Sequence, residues 1–191
     1  MDDHVAGHRR RDRTPPDPLI LRVGEDGSLG EPVLRSTAHK APGVLHLAVS
    51  LQVVDSARQG WIIQRRSSAK LLFADRWANT CCTHPAPGED PVSAAVRRLR
   101  EETGLVVEEM LPAGRFTYRA VDGNSGLVEH EEDLVFVALA DSRALMPDPD
   151  EIADVAVLSF DDALNVVQSP DGAPWAADVL LHCYTRLGDR H

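Results

Sequence analysis

The sequence predicts an α/β fold of the α+β kind with an N-terminal hairpin extension, and three observations carry that expectation. Apolar runs bounded by turn residues recur at His46–Val54, Trp61–Gln64 and Leu127–Ala140, the pattern of sheet strands. One amphipathic helix separates them, in which Val92, Ala95, Val96 and Leu99 follow the i, i+3, i+4, i+7 spacing of a buried stripe. Two further helices, Phe160–Gln168 and Ala173–Leu187, close the chain.

Taken in order, residues 1–16 (MDDHVAGHRRRDRTPP) are charged, proline-ended and aperiodic, so they read as a disordered tail ahead of a single domain over 17–191. Pro18–Arg35 carries LILRV and EPVL around EDGSLG, which is hairpin chemistry. His39 and His46 flank a Pro-Gly turn. A lone histidine is more often a surface or satisfied residue than a ligand, so their meaning depends on what converges on them. Trp61–Gln64 is followed by Arg65, Arg66 and Lys70, which fit either a solvated edge or a clamp for phosphate oxygens.

The amphipathic helix ends at Thr103, with Gly104 where a left-handed cap falls. Glu102, three residues after Leu99, stands at the border of the core stripe, where a side chain can point inward. Val106–Tyr118 reads as a strand pair and VDGNSG as a turn. On the strand Leu127–Ala140, Glu129 and Glu131 share one face, and two such carboxylates repel unless a cation or a shared proton relieves them. A Pro- and Asp-rich loop at 141–154 leads to a last strand, Val155–Ser159. Trp175 lies in the first turn of the terminal helix, where core packing is the usual work of so large an aromatic.

Composition bounds the function. With 191 residues, 43% of them hydrophobic, the chain can bury a substantial core. A formal charge of −10 argues against general nucleic-acid binding, so an anionic substrate would need a local basic pocket. No apolar run approaches the roughly 20 residues of a membrane span and no signal-peptide core is present. The three cysteines, Cys81, Cys82 and Cys183, do not make a disulfide framework. The expectation is a cytoplasmic protein without membrane or nucleic-acid partners.

The most informative stretch is Trp77–Leu105, WANTCCTHPAPGEDPVSAAVRRLREETGL. Its Glu89, Arg97, Glu101, Glu102, Gly104 and Leu105 resemble the Nudix box, a loop–helix motif that binds a divalent metal and a diphosphate. Thr83 stands where the box opens with Gly, and Arg98 stands at its first helical Glu. An Arg there removes a metal ligand and adds repulsion, and an Arg facing a diphosphate holds it instead of assisting its cleavage.

Taken together, His39, His46, Asn79-Thr80-Cys81-Cys82-Thr83-His84-Pro85, Glu102, Tyr118, Glu129-x-Glu131 and Ala173-Pro174-Trp175 resemble the type I isopentenyl-diphosphate Δ-isomerase family over about Arg35–Trp175. That family also carries a basic residue at the position of Arg98. The resemblance implies a Nudix-like α/β/α sandwich with a mixed sheet. It also implies interconversion of isopentenyl and dimethylallyl diphosphate through a tertiary carbocation, in isoprenoid biosynthesis. His39, His46, His84, Glu129 and Glu131 would hold one divalent ion (Mn²⁺, Mg²⁺ or Zn²⁺), and Glu102 a Mg²⁺ bridging the diphosphate. Arg35, Arg66, Lys70 and Arg98 would grip that diphosphate. Cys82 on one side and Glu131 with Tyr118 on the other would carry the acid and base, and Trp175 would face the cation with its π cloud. The partner is then a small prenyl diphosphate, and a monomer is the expectation.

Two departures qualify the match. Phe73-Ala74-Asp75-Arg76 stands where the family usually has an aromatic-Pro-Gly turn, and the β-branched Thr83 restricts φ at the box Gly. Either could reshape the pocket toward a related prenyl diphosphate. A Nudix pyrophosphohydrolase and a catalytically silent diphosphate-binding protein are the alternatives, and Arg98 with the Cys82 and His84 pair weighs against the first.

Overall fold

The computed structural model describes residues 17–57 and 60–188; the segment 1–16 read above as a tail lies outside them. In chain order the strands are β1 (Leu19–Val23), β2 (Leu29–Leu34), β3 (His46–Asp55), β4 (Trp61–Arg66), β5 (Trp77–Ala78), β6 (Cys81–Thr83), β7 (Met110–Val121), β8 (Val128–Ala140) and β9 (Ile152–Leu158). The helices are α1 (Arg35–Ala38), α2 (Pro91–Thr103), α3 (Phe160–Gln168) and α4 (Ala176–Gly188).

β3 is the centre of a mixed sheet. It runs parallel to β8 and antiparallel to β4, β6 and β1, while β7 adds to β8 and β9 to β4. A strand covered on both faces can be apolar throughout, and β3 is buried at all of its positions. β8 alternates between two cores. Val135 and Val137 pack with Ala163 of α3 and Val179 and Leu180 of α4, whereas Phe136 and Ala138 pack with Ala95 and Leu99 of α2. Helices therefore cover both faces, the expected α/β/α sandwich, with the β1–β2 hairpin added at one edge.

α2 is well delimited. Asp90 caps it by accepting from Ser93 N at 2.9 Å, Pro91 opens it, and Gly104 closes it at φ 72° in the left-handed region. Its buried face is Ala94, Ala95, Leu99, Glu102 and Thr103. The expected stripe is thus turned: Val92 is exposed, because the two small alanines let the helix lie against β6 and β3 on that side.

Val106–Tyr118 is not a strand pair. The structure has one long strand, Met110–Val121, antiparallel to β8 with a register shift between Pro112 and Gly114. Pro112 lacks an N–H and Gly114 sits at φ 147°, features that suggest a break in sequence and that the sheet absorbs as a bulge. Thr83 lies in β6 opposite Val49, so a β-branched residue suits its extended backbone and the restriction expected there does not arise. Among the described residues no helix is long and apolar enough to cross a membrane.

The turn from α3 to α4 docks on β5. Trp77 N donates to Asp171 O at 2.8 Å, Ala173 N donates to Trp77 O at 2.8 Å, and a Cβ on Gly172 would fall 1.8 Å from Val167 O. Gly172→Ala must therefore displace this turn, and with it Trp175. The expected result is a loss of about 1–3 kcal/mol in urea unfolding; an unchanged midpoint would show that the turn is not held this tightly.

Candidate active site and metal centre

Three histidines and two glutamates meet at the end of β3. His39 follows α1, where its Nδ1 donates to Arg35 O at 2.7 Å, and His46 opens β3 with Nδ1 donating to Val44 O at 2.7 Å. Each ring thereby turns the lone pair of its Nε2 inward. His84 follows β6. Glu129 and Glu131 come from β8, whose parallel register sets Glu131 opposite His46. His39 Nε2 lies 2.8 Å from Glu129 Oε2, His84 Nε2 2.7 Å from Glu131 Oε1, and the His46 and His84 Nε2 atoms 3.2 Å apart. All five donor atoms lie within 4.8 Å of one another, and all but His84 are buried.

Lone pairs converging at such distances need a positive charge among them. Glu129 Oε2 is buried without a hydrogen bond, because the ring nitrogen beside it has its proton on the far side. Burial opposes charge on His39, but a protonated ring would donate from Nε2 to Glu129, and that bond together with the carboxylate's charge outweighs burial and raises the pKa. Burial would likewise raise Glu131, yet the imidazoles of His46 and His84 hold its carboxyl well below the usual range. Three imidazoles with two carboxylates are a donor set suited to a divalent cation and leave one octahedral position open. The residues present fit such an ion.

Glu131 faces both ways. Its Oε1 belongs to the cluster, while Oε2 accepts from Tyr118 Oη at 2.6 Å, because the β7–β8 register pairs these two residues. Burial, then the charge of Glu131, pushes the Tyr118 phenol well above its ordinary value. Cys82 sits on β6 opposite Ser50 of β3. Its Sγ donates to Asn79 Oδ1 at 3.2 Å, and the same oxygen accepts from Trp175 Nε1 at 3.0 Å. Burial, then the negative charge of Asp133, pushes the Cys82 thiol up to about 12. The Trp175 ring lies 5.8 Å from Tyr118 and 5.5 Å from Phe73, with the Arg66 guanidinium 5.4 Å from its centroid.

Cys82, His84, Tyr118, Glu129, Glu131 and Trp175 all line one cavity of about 430 Å³. Arg35, Arg66, Lys70 and Arg98 line the same cavity, so Arg66 and Lys70 of the basic cluster face the pocket, whereas Arg65 is exposed and does not line it. Arg98 Nη2 lies 2.7 Å from both Glu102 Oε1 and Glu151 Oε1, and Lys70 contacts the same two carboxylates. Burial opposes ionisation of Glu151, but Arg98 and Lys70 bring its pKa down to about 2. Glu102 is 1% exposed and lies behind these cations, where Gln64 Nε2 also donates to it at 3.3 Å. It stands apart from the five clustered donors.

Asn79, Ser50, Asp133 and Glu151 are absent from the candidates drawn from sequence. Asp133 carried a legible signal: it continues the period-two face of Glu129 and Glu131. Glu151 carried none, since one acid in an Asp-rich loop is unremarked until Lys70 and Arg98 reach it.

A model of the NUDIX domain matches residues 44–183. A Streptomyces griseus protein named isopentenyl-diphosphate Delta-isomerase is 37% identical over 173 residues, covering 91% of this chain and 85% of its own. A protein of the same name from Cereibacter sphaeroides strain KD131 is 42% identical over 159 residues, covering 82% and 88%. Among solved structures, one from Deinococcus radiodurans superposes with a TM-score of 0.69 at 20% identity, covering 87% of this chain and 99% of that one. The MutT protein of Methanosarcina mazei gives 0.59 at 16%, covering 75% and 95%. These two likenesses are of fold alone. The matched domain and the isomerase relatives together place this chain in the Nudix family, among the isopentenyl-diphosphate Delta-isomerases.

Proposed function

We propose that this protein interconverts isopentenyl and dimethylallyl diphosphate for isoprenoid biosynthesis, as a cytoplasmic monomer. The observation that carries the reading is one cavity lined by two chemically different groups: Cys82, Glu131, Tyr118 and Trp175, joined by the contacts of Tyr118 and Asn79, and Lys70 and Arg98, joined through Glu102 and Glu151. A short hydrocarbon with a charged head fits that division.

The reaction adds one proton to an alkene carbon and removes one two carbons away, with a tertiary carbocation between. Cys82 and Glu131 are the two proton carriers; in either direction one gives a proton and the other takes one. Tyr118, bonded to Glu131 Oε2, fixes that oxygen and shares its proton. The Trp175 face opposes the cation and stabilises it by about 2 kcal/mol in a desolvated pocket. Its indole N–H is anchored on Asn79, so the ring cannot swing away. Leu72 and Trp175 give the pocket apolar lining beside these groups, and exclusion of water there would protect the cation from capture.

His39, His46, His84, Glu129 and Glu131 would hold a Mn²⁺, Mg²⁺ or Zn²⁺ ion, and Glu102 a Mg²⁺ shared with the diphosphate. When bound, such ions supply positive charge that orients Glu131 and neutralises the diphosphate. Arg35, Arg66, Lys70 and Arg98 grip the diphosphate without cleaving it.

Incubating isopentenyl diphosphate with the protein and Mg²⁺ in heavy water is expected to place solvent deuterium in both isomers, with no phosphate released. Cys82→Ala and Glu131→Gln should each lower exchange by at least about 10²-fold with the fold intact. Full activity in either variant refutes the assignment, and phosphate release supports a pyrophosphohydrolase instead. For the metal centre, purified protein is expected to contain about one equivalent of divalent metal, and chelation should remove both metal and activity. His84→Ala should lose the metal while remaining folded; wild-type metal content in that variant would remove His84 from the ligand set.

A further inference from the structure

We propose that Asp133, acting through Ser50, is a positioning residue that holds the Cys82 thiol in its reactive place. Asp133 lies on β8 two residues beyond Glu131, on the same face of the strand, and Ser50 lies on β3 opposite Cys82. Ser50 Oγ donates to Asp133 Oδ2 at 2.6 Å, and the same Oγ lies 3.2 Å from Cys82 Sγ. On its other side the sulfur is bonded to Asn79 Oδ1, itself fixed by Trp175. The thiol thus donates to one oxygen, tied to the aromatic wall of the pocket, and packs against the other, tied to a carboxyl in the sheet.

The arrangement is unfavourable for packing alone. Ser50 and Asp133 are each 1% exposed, and Asp133 Oδ1 has no hydrogen-bond partner. An apolar pair would fill this space between β3 and β8 without burying an orphaned oxygen. What an apolar pair would not do is fix the Ser50 rotamer. Released from Asp133, the hydroxyl turns among its staggered wells and leaves one side of the sulfur unrestrained. Proton transfer to or from carbon is sensitive to such displacement, since small errors in approach lower rates steeply.

This inference rests on the isomerase reading, in which Cys82 is one of the two proton carriers. The test measures kcat and KM for isopentenyl diphosphate, with thermal unfolding alongside, for Ser50→Ala, Asp133→Val, Asp133→Asn and the double variant Ser50→Ala/Asp133→Val. Ser50→Ala and Asp133→Val are each expected to lower kcat about tenfold with KM unchanged, while Asp133→Asn, which keeps the size and an acceptor oxygen, stays within about threefold of wild type. The double variant should be no slower than the slower single one, because both changes remove the same bridge. Wild-type kcat in folded Asp133→Val, a change in KM in place of kcat, or losses that multiply would each overturn the proposal. If Asp133→Val does not fold, Ser50→Ala decides by the same kcat criterion. An inactive wild-type protein would instead defeat the isomerase reading itself.

Discussion

The parallel register of β3 and β8 sets His46 opposite Glu131, and the rest of the site follows from it. Side chains alternate along a strand, so His46 and Ser50 of β3 share a face with Glu129, Glu131 and Asp133 of β8. Cys82 joins them because β6 pairs it with Ser50, and Tyr118 because β7 pairs it with Glu131. A slip of one residue would send three carboxylates into the core formed by Leu51, Leu99 and Phe136. The register is held against that slip by the hydrophobic alternation farther along β8, where Val135 and Val137 belong to one core and Phe136 and Ala138 to the other. The apolar half of the strand fixes where the polar half points.

The cationic lining of the pocket is not a bare positive patch. In a chain of net charge −10, Lys70 and Arg98 are both paired with Glu102 and Glu151 before any ligand arrives. Buried or half-buried pairs contribute little net stability, but each partner prevents the other from being stranded. In the proposed function a diphosphate would add negative charge to a cluster already near neutrality, so its entry together with a divalent cation is electrostatically easier than its entry alone. The buried Glu102 would then be the natural counterpart of that cation, provided Lys70 and Arg98 shift their hydrogen bonds from carboxylate to phosphate.

Most of the fold was legible because its signals are local. The Gly104 cap, the β1–β2 hairpin, the apolar β3 and the final helices all announce themselves in short windows. The bulge in β7 misled, since Pro112 and Gly114 look like the end of a strand unless the partner β8 is known. β5 and β6, at two and three residues, are too short for any periodicity, although β6 carries Cys82. Within the site, individual histidines and acids meant little; the Asn-Thr-Cys-Cys-x-His-Pro run and the spacing of the others gave them a common meaning. Ser50 was invisible for the opposite reason, being a small residue in an apolar strand whose importance depends wholly on what lies across from it.

The loop ahead of the Cys motif shows how a departure in sequence can be accommodated by its surroundings. Phe73 at φ 48° and Asp75 at φ 62° occupy the left-handed region, which costs a non-glycine residue on the order of 1–3 kcal/mol. Arg66 offsets that strain. Its Nε donates to Phe73 O at 3.0 Å and its Nη2 to Leu72 O at 2.9 Å, while its backbone exchanges hydrogen bonds with Asp75 and Arg76. These bonds hold open a turn that a glycine would adopt without strain, and they set the Phe73 edge against Trp175. A guanidinium has five N–H groups, so the loop leaves Arg66 with donors for an anion in the cavity. One side chain can thus shape the aromatic wall and face the cavity. In the proposed function that couples the aromatic wall to the anion site: a substitution at Arg66 would disturb the seat proposed for the hydrocarbon as much as the grip proposed for the diphosphate.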